Sequence, residues 1–338
     1  MDAAFSPDVR ANAASLSKVV RKVGMLHRIV TRLAHWLHPL RIMVGGDDLE
    51  RAGGGEDMAV VVPGTTPPRW ELYAGMPCWI ELITTDLDRA CEFYAGLFDW
   101  EYEPHRDPVS GEHVIALREG FPVASLRAAS GDQSGWRLYL ATADCAASVG
   151  QAEALGAAVT VPSNHVPRVG TKVVLMGPAD AEFGLLEPEE SWQFDVGLPG
   201  TLMWAELVII KAQAADNFFQ ELFGYSAEQF GTEHRSDYSV WYLGDESVLA
   251  RVSMIRDFIT ETTLPHWLLY LGVDAEVGTD ELVRRAITLG GRVRVDPYDS
   301  SIGRVAVLRD PTGGRFAVVD PTQAGDFGTA ANYDPYED

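Results

Sequence analysis

Trp79-Ile80-Glu81-Leu82 opens a stretch that continues through Phe93-Tyr94 and Leu97-Phe98 to Trp100. Trp204-Ala205-Glu206-Leu207 opens another, continuing through Phe218-Phe219 and Leu222-Phe223 to Tyr225. Corresponding residues stand 125 positions apart throughout. Self-similarity at that distance marks a duplicated domain. Further on, Gly135-Trp136-Arg137-Leu138-Tyr139-Leu140 answers to His266-Trp267-Leu268-Leu269-Tyr270-Leu271 at a separation of 131, and Val173-Val174-Leu175 to Ala306-Val307-Leu308 at 133. The growing separation gives the second copy a longer connection, expected at residues 256–264, because loops absorb insertions that core elements do not.

Within the first copy, alternation predicts a strand over 79–84, and Asp86 is the N-cap expected for a helix over 87–98. Strands follow over 100–103, 113–118 and 123–127. The scheme then restarts: strand 136–142, helix 145–155, and strands 158–161, 172–176 and 184–186. Each copy reads βαβββ-βαβββ, so the chain holds four such units. The fold class is α+β, with helices covering one face of a mixed sheet and the other face free to curl into a half-barrel.

Composition sets the outer limits. The chain has 338 residues, 46% of them apolar, enough for two domains with real cores. A net charge of −22 argues against nucleic acid, whose phosphates require Lys and Arg. Three cysteines, Cys78, Cys91 and Cys145, lack CxxC spacing and are odd in number, which fits a reducing cytoplasm. No apolar run reaches transmembrane length. Residues 1–46 carry seven Lys/Arg against two Asp, with Leu16, Val19, Val20, Val23, Leu26, Ile29, Val30, Leu33 and Leu37 at helical spacing. That basic amphipathic helix is suited to a partner, a membrane surface or the protein's own acidic body. The expected organisation is this helix and a Gly-rich linker over 1–70, a first domain over 71–190, a linker over 191–199, a second domain over 200–322 and an acidic tail over 323–338. Monomer and homodimer are both compatible with it.

The βαβββ pairs, the Trp-x-Glu-Leu openings, the Phe-Tyr-x-x-Leu-Phe-x-Trp helix and the closing Asp-Pro-x-Gly-x-x-Phe at 310–316 resemble the vicinal oxygen chelate superfamily. That group holds glyoxalase I, bleomycin-resistance proteins, fosfomycin-resistance enzymes and extradiol dioxygenases. The resemblance is to its two-domain actinobacterial glyoxalase-like members, often labelled hydroxylases, and covers about residues 76–321. It implies two glyoxalase-like half-barrels, each a cup for a small molecule.

It also implies a divalent metal held by a His or Gln on the first strand, a His on the fifth and a Glu on the eighth. The matching positions are Trp79, Arg137 and Gly184 in the first copy, and Trp204, Leu268 and Ala317 in the second. None is a competent ligand. No cofactor is therefore expected; a divalent metal is the alternative if a one-residue slip brings His266 to the fifth-strand position.

The inward polar residues are then Glu81 and Glu206, each on the face of the Trp two residues before it. A carboxylate in an apolar pocket has a raised pKa and can act as acid or base, so both Glu are catalytic candidates. The competing reading is structural, with Arg137 as a partner for Glu81 and Arg251 as a partner in the second copy. Ligand-binding candidates are Trp79, Trp204, His113, Tyr238, Arg137, Tyr139, Tyr270 and His266. Trp241 and Tyr242 are further aromatic candidates for stacking, and His105, His165, His234 and Tyr298 are expected at the rims. Two function classes follow: a metal-independent enzyme (hydroxylase, lyase or isomerase) acting on a small aromatic or polyketide-like molecule, or a binding protein that sequesters one; a metal-dependent dioxygenase or lyase is the alternative if the ligand alignment slips.

Overall fold

Asp86 starts the first helix as its residue type predicts, its carboxylate accepting from the Arg89 N–H at 3.0 Å. Along helix α1 (Leu87–Phe98) the buried residues are Ala90, Phe93, Tyr94, Leu97 and Phe98, a single apolar face at helical spacing. The chain leaves α1 through Asp99 in the left-handed region (φ 59°). The second copy spends a glycine there: Gly224, at φ 75°, ends helix α3 (Ala212–Phe223).

The computed structural model describes residues 73–107, 111–129, 131–230, 237–253 and 265–325. The expected basic helix and linker, the connection at 256–264, His234 and all but the first three residues of the acidic tail lie outside the described residues.

The first copy contains β1 (Pro77–Thr84), α1, β2 (Glu101–Asp107), β3 (Gly111–Arg118) and β4 (Phe121–Ala128). Then come β5 (Gly135–Ala141), α2 (Cys145–Ala154), β6 (Ala158–Val166), β7 (Gly170–Met176) and β8 (Glu182–Pro188). The second repeats the order as β9 (Leu202–Ile209), α3, β10 (Ser226–Phe230), β11 (Asp237–Leu243) and β12 (Glu246–Ser253). It closes with β13 (His266–Gly272), α4 (Thr279–Thr288), β14 (Arg292–Ser300), β15 (Gly303–Arg309) and β16 (Arg315–Asp320). Each copy is one eight-stranded mixed sheet, ordered β2-β3-β4-β1-β5-β8-β7-β6 and β10-β11-β12-β9-β13-β16-β15-β14. In each, the two βαβββ units meet along an antiparallel seam, β1–β5 or β9–β13. The longer connection of the second copy falls between Ser253 and His266, against Ala128 and Gly135 in the first.

Three apolar clusters show where the faces point. The largest takes the helices and one sheet face from both copies. Its contacts across the copies are reciprocal. Phe183 on β8 lies 5.7 and 5.4 Å from Phe218 and Phe219 of α3, and Phe316 on β16 lies 6.1 and 5.5 Å from Phe93 and Tyr94 of α1. Tyr94 also donates to Asp310 at 2.9 Å, Trp100 to the Gly200 carbonyl at 2.9 Å, and Tyr225 to the Gly75 carbonyl. The copies thus pack helix side to helix side within one chain. The other two clusters are separate and belong to one copy each, lining the opposite faces, the two cups.

Candidate functional site

The period-2 geometry of β1 puts Trp79 and Glu81 on the cup face of the first copy, and β9 does the same for Trp204 and Glu206 in the second. Register across the seam places Tyr139 opposite Trp79 and Arg137 opposite Glu81; Tyr139 in turn pairs with Gly184 of β8. The second copy gives Tyr270 opposite Trp204 and beside Ala317, with Leu268 opposite Glu206. The sequence pattern groups Arg137 with Trp79 and Gly184. In the structure the fifth-strand residue of that row is Tyr139, two positions on, and the shift runs away from His266.

Glu81 is almost wholly buried and ringed by donors. Its Oε2 accepts from Tyr139 at 2.9 Å and from Arg137 Nη1 at 3.1 Å, with Arg127 Nε at 3.4 Å; its Oε1 faces Lys172 Nζ at 3.4 Å. Arg137 also holds Glu182 at 2.6 Å. Burial by itself pushes the Glu81 carboxyl up, but Lys172, Arg127, Arg137 and the Tyr139 hydroxyl outweigh it and hold it at about 2. The raised pKa expected of an acid/base carboxylate is therefore not found in this cup. The cause is three cations, of which the sequence pattern points to Arg137 alone. Burial, and then the charge of Lys172, lower the pKa of His113, whose ring stacks on that of His105 at 5.8 Å.

The second cup is built from the same backbone with different chemistry. The positions of Arg127, Arg137 and Lys172 are taken by Val252, Leu268 and Val305, all buried. Glu206 accepts from Tyr238 on Oε1 at 2.9 Å and from Tyr270 on Oε2 at 2.8 Å. Burial, then the charge of Glu206, push the Tyr238 hydroxyl well above its usual pKa, so it stays a donor. The wall is apolar: Val208, Leu268, Val295, Val305, Val307 and Ala317. His266 is half-buried, its Nε2 3.4 Å from Arg315 Nη1.

Other expected residues lie elsewhere. Arg251 is opposite Leu207, not Glu206, so it points to the helix side, where it binds Asp216 at 2.8 Å and Asp237 at 2.7 Å. Trp241 is buried in the shared core, 4.9 Å from Phe219, and donates to Asp216 at 2.8 Å. His165 is an exposed partner of Glu189 at 2.9 Å. Two residues of the expected linker cover the first cup: Phe194, 5.4 Å from Trp79, and Trp192, 6.0 Å from Phe194.

These donors do not fit a divalent metal. In the first cup the row offers an indole whose Nε1 donates to Ser125 at 3.0 Å, a phenol and a glycine. A Cβ on Gly184 would lie 2.1 Å from the Tyr139 ring, so this packing leaves no room there for a carboxylate side chain. The Glu81 charge is already met by cations, which would repel another. The second cup offers an indole, a phenol and an alanine in the same row. Among the described residues no three His, Cys, Asp or Glu side chains converge.

A glyoxalase-like domain family profile matches residues 79–186. The anthracycline biosynthesis protein DnrV of Streptomyces peucetius is 31% identical over 267 residues, 73% of this chain and 93% of that protein. CFP32 of Mycobacterium bovis is 30% identical, across 75% of this chain and 98% of its own. Among solved structures, the 2,3-dioxygenase LapB of Pseudomonas sp. KL28 superposes with a TM-score of 0.54 at 16% identity, covering 78% of this chain and 97% of that one. The Mn(II)-bound glyoxalase of Novosphingobium aromaticivorans gives 0.52 at 16%, covering 75% and 86%. With this fold, this profile and these relatives, the chain belongs to the glyoxalase-like proteins of the vicinal oxygen chelate superfamily. No helix among the described residues is long and apolar enough to cross a membrane.

Proposed function

We propose that the protein binds a small aromatic or polyketide-like molecule in the second cup, without a metal, and that Glu206 is the group that meets its polar edge. One observation carries this reading. Where the first cup has Arg127, Arg137 and Lys172, the second has Val252, Leu268 and Val305, with the Glu206 carboxylate between two phenols. An apolar cup with one convergent polar cluster is the usual make-up of a small-molecule site. The naming of DnrV as an anthracycline biosynthesis protein supports an aromatic polyketide as the ligand class. All three cysteines are free thiols, which supports a reducing compartment such as the cytoplasm.

As a catalyst, Glu206 would take a proton from a carbon or oxygen acid of the ligand onto one carboxylate oxygen and return it at another atom of the ligand, an isomerisation that needs no co-reactant. Tyr238 and Tyr270 would donate to the negative charge in transit. Binding without turnover is the second reading. It is favoured by the two phenol hydrogen bonds, which already engage both Glu206 oxygens.

Calorimetric titration with 2-naphthol, a soluble fused-ring phenol, tests the site. One equivalent should bind per chain, and Glu206→Gln should weaken binding at least ~10-fold, as loss of a charged hydrogen-bond acceptor implies, with the circular dichroism unchanged. Equal binding by the variant, or none by the wild type, overturns the reading. Uptake of solvent deuterium into a bound hydroxy-ketone separates catalysis from sequestration. Stoichiometric divalent metal in the purified protein overturns the metal-free assignment.

A further inference from the structure

Trp79 and Trp204 hold one position in two cups, each two residues before the inward Glu. On Trp79 the chain lays a ring of its own. The Phe194 ring lies 5.4 Å from the indole at 58°, backed by Trp192, and Trp79 is only 4% exposed. The segment carrying these rings is tied down: Trp192 N–H donates to the Glu189 carbonyl at 3.1 Å, and Asp195 N–H to the Pro122 carbonyl at 2.9 Å. In the second cup the indole of Trp204 is half-buried, as are Met203, Tyr238, Tyr298 and Ile302 around it.

We infer that Phe194 is a built-in stand-in for the aromatic ring that the second cup takes from solution, and that Trp204 is the residue that selects a flat ring. The inference rests on the proposed ligand site and deepens it. The two indoles share strand, register and cross-strand neighbour, since Tyr139 faces Trp79 as Tyr270 faces Trp204. Aromatic rings prefer offset or tilted contact at about 4.5–7 Å between centroids, the contact Phe194 makes. Two residues along a strand span about 7 Å. A ring lying on Trp204 therefore brings a hydroxyl on the next fused ring to Glu206, so the geometry selects a fused, edge-hydroxylated aromatic over a single ring or a puckered one of equal size.

The test compares 2-naphthol with decahydro-2-naphthol, its saturated counterpart, by calorimetry. The wild type should prefer the flat alcohol at least ~10-fold. Trp204→Leu should lose that preference while still binding the saturated alcohol, and Trp79→Leu should keep it. Phe194→Ala with Trp192→Ala should admit a second equivalent of 2-naphthol per chain. If Trp204→Leu keeps the preference while Glu206→Gln still weakens binding, the ligand site stands and the ring-selecting role falls. A doubly substituted protein that folds normally and still takes one equivalent overturns the stand-in role. If the wild type binds neither alcohol, both readings fall together. Should the double variant not fold, Phe194→Ala alone replaces it: a second equivalent of 2-naphthol supports the stand-in role, and a single equivalent overturns it.

Discussion

The two cups share a backbone and differ in what surrounds one carboxylate. Glu81 is held by Arg127, Arg137, Lys172 and Tyr139, and Glu206 by Tyr238 and Tyr270 in a wall of Val and Leu. A position on a fold is therefore not a role. The same inward Glu meets three cations and a phenol in one cup and two phenols in the other, and on the proposed reading only the second is a polar anchor for a ligand.

That contrast can be broken. Removing the Glu81 charge leaves buried cations uncompensated, so Glu81→Gln should cost about 3–5 kcal/mol at pH 7, read by urea unfolding. The sign with pH follows from a folded pKa near 2 against an ordinary 4.5. The stabilisation is complete above about pH 4.5 and is lost as pH falls toward 2. The stability gap between wild type and variant should close over that window. A gap that stays constant down to pH 2 removes the ion cluster as its cause.

The contrast can also be sharpened by replacing the ion cluster of the first cup with the apolar residues of the second. Arg137→Leu alone should cost on the order of 1–3 kcal/mol, since it takes one of three cations from Glu81 and the arginine partner from Glu182. Glu81→Gln, Arg127→Val, Arg137→Leu and Lys172→Val together should recover most of that loss, because well-packed apolar residues replace buried ion clusters at little cost. A fourfold variant less stable than Arg137→Leu alone would show that the cluster organises the cup beyond neutralising charge.

The smallest effect belongs to the eighth strand. Gly184→Ala puts a methyl into the Tyr139 ring and should cost about 1–3 kcal/mol. Its mirror, Ala317→Gly, should cost no more than about 1 kcal/mol. Thermal unfolding of the pair gives the difference, and equal losses would mean that Tyr139 moves aside freely.

The fold was legible because its signals are local. Asp86 as N-cap, the Phe93–Phe98 helical face and the repeated Trp-x-Glu-Leu strands each announce an element without knowledge of its neighbours. The site was legible only in part, because it depends on register. Nothing local says that Tyr139 rather than Arg137 faces Trp79, or that Arg251 turns to the helix side. Arg127 and Lys172 did leave a trace: subtracting the copies shows charge against Val252 and Val305 at those positions. Trp192 and Phe194 left none, since a linker that folds into a cup reads like any linker.

The reciprocal stacking of Phe183 on Phe218 and Phe219, and of Phe316 on Phe93 and Tyr94, bears on how such a chain can change over generations. After a duplication, the halves are bound through a wall that both must keep, so neither can be discarded or drift far in that layer. The cups lie on the far sides of the wall. There the copies already differ, Lys172 against Val305 and Arg127 against Val252, while the stacked layer that joins them is kept.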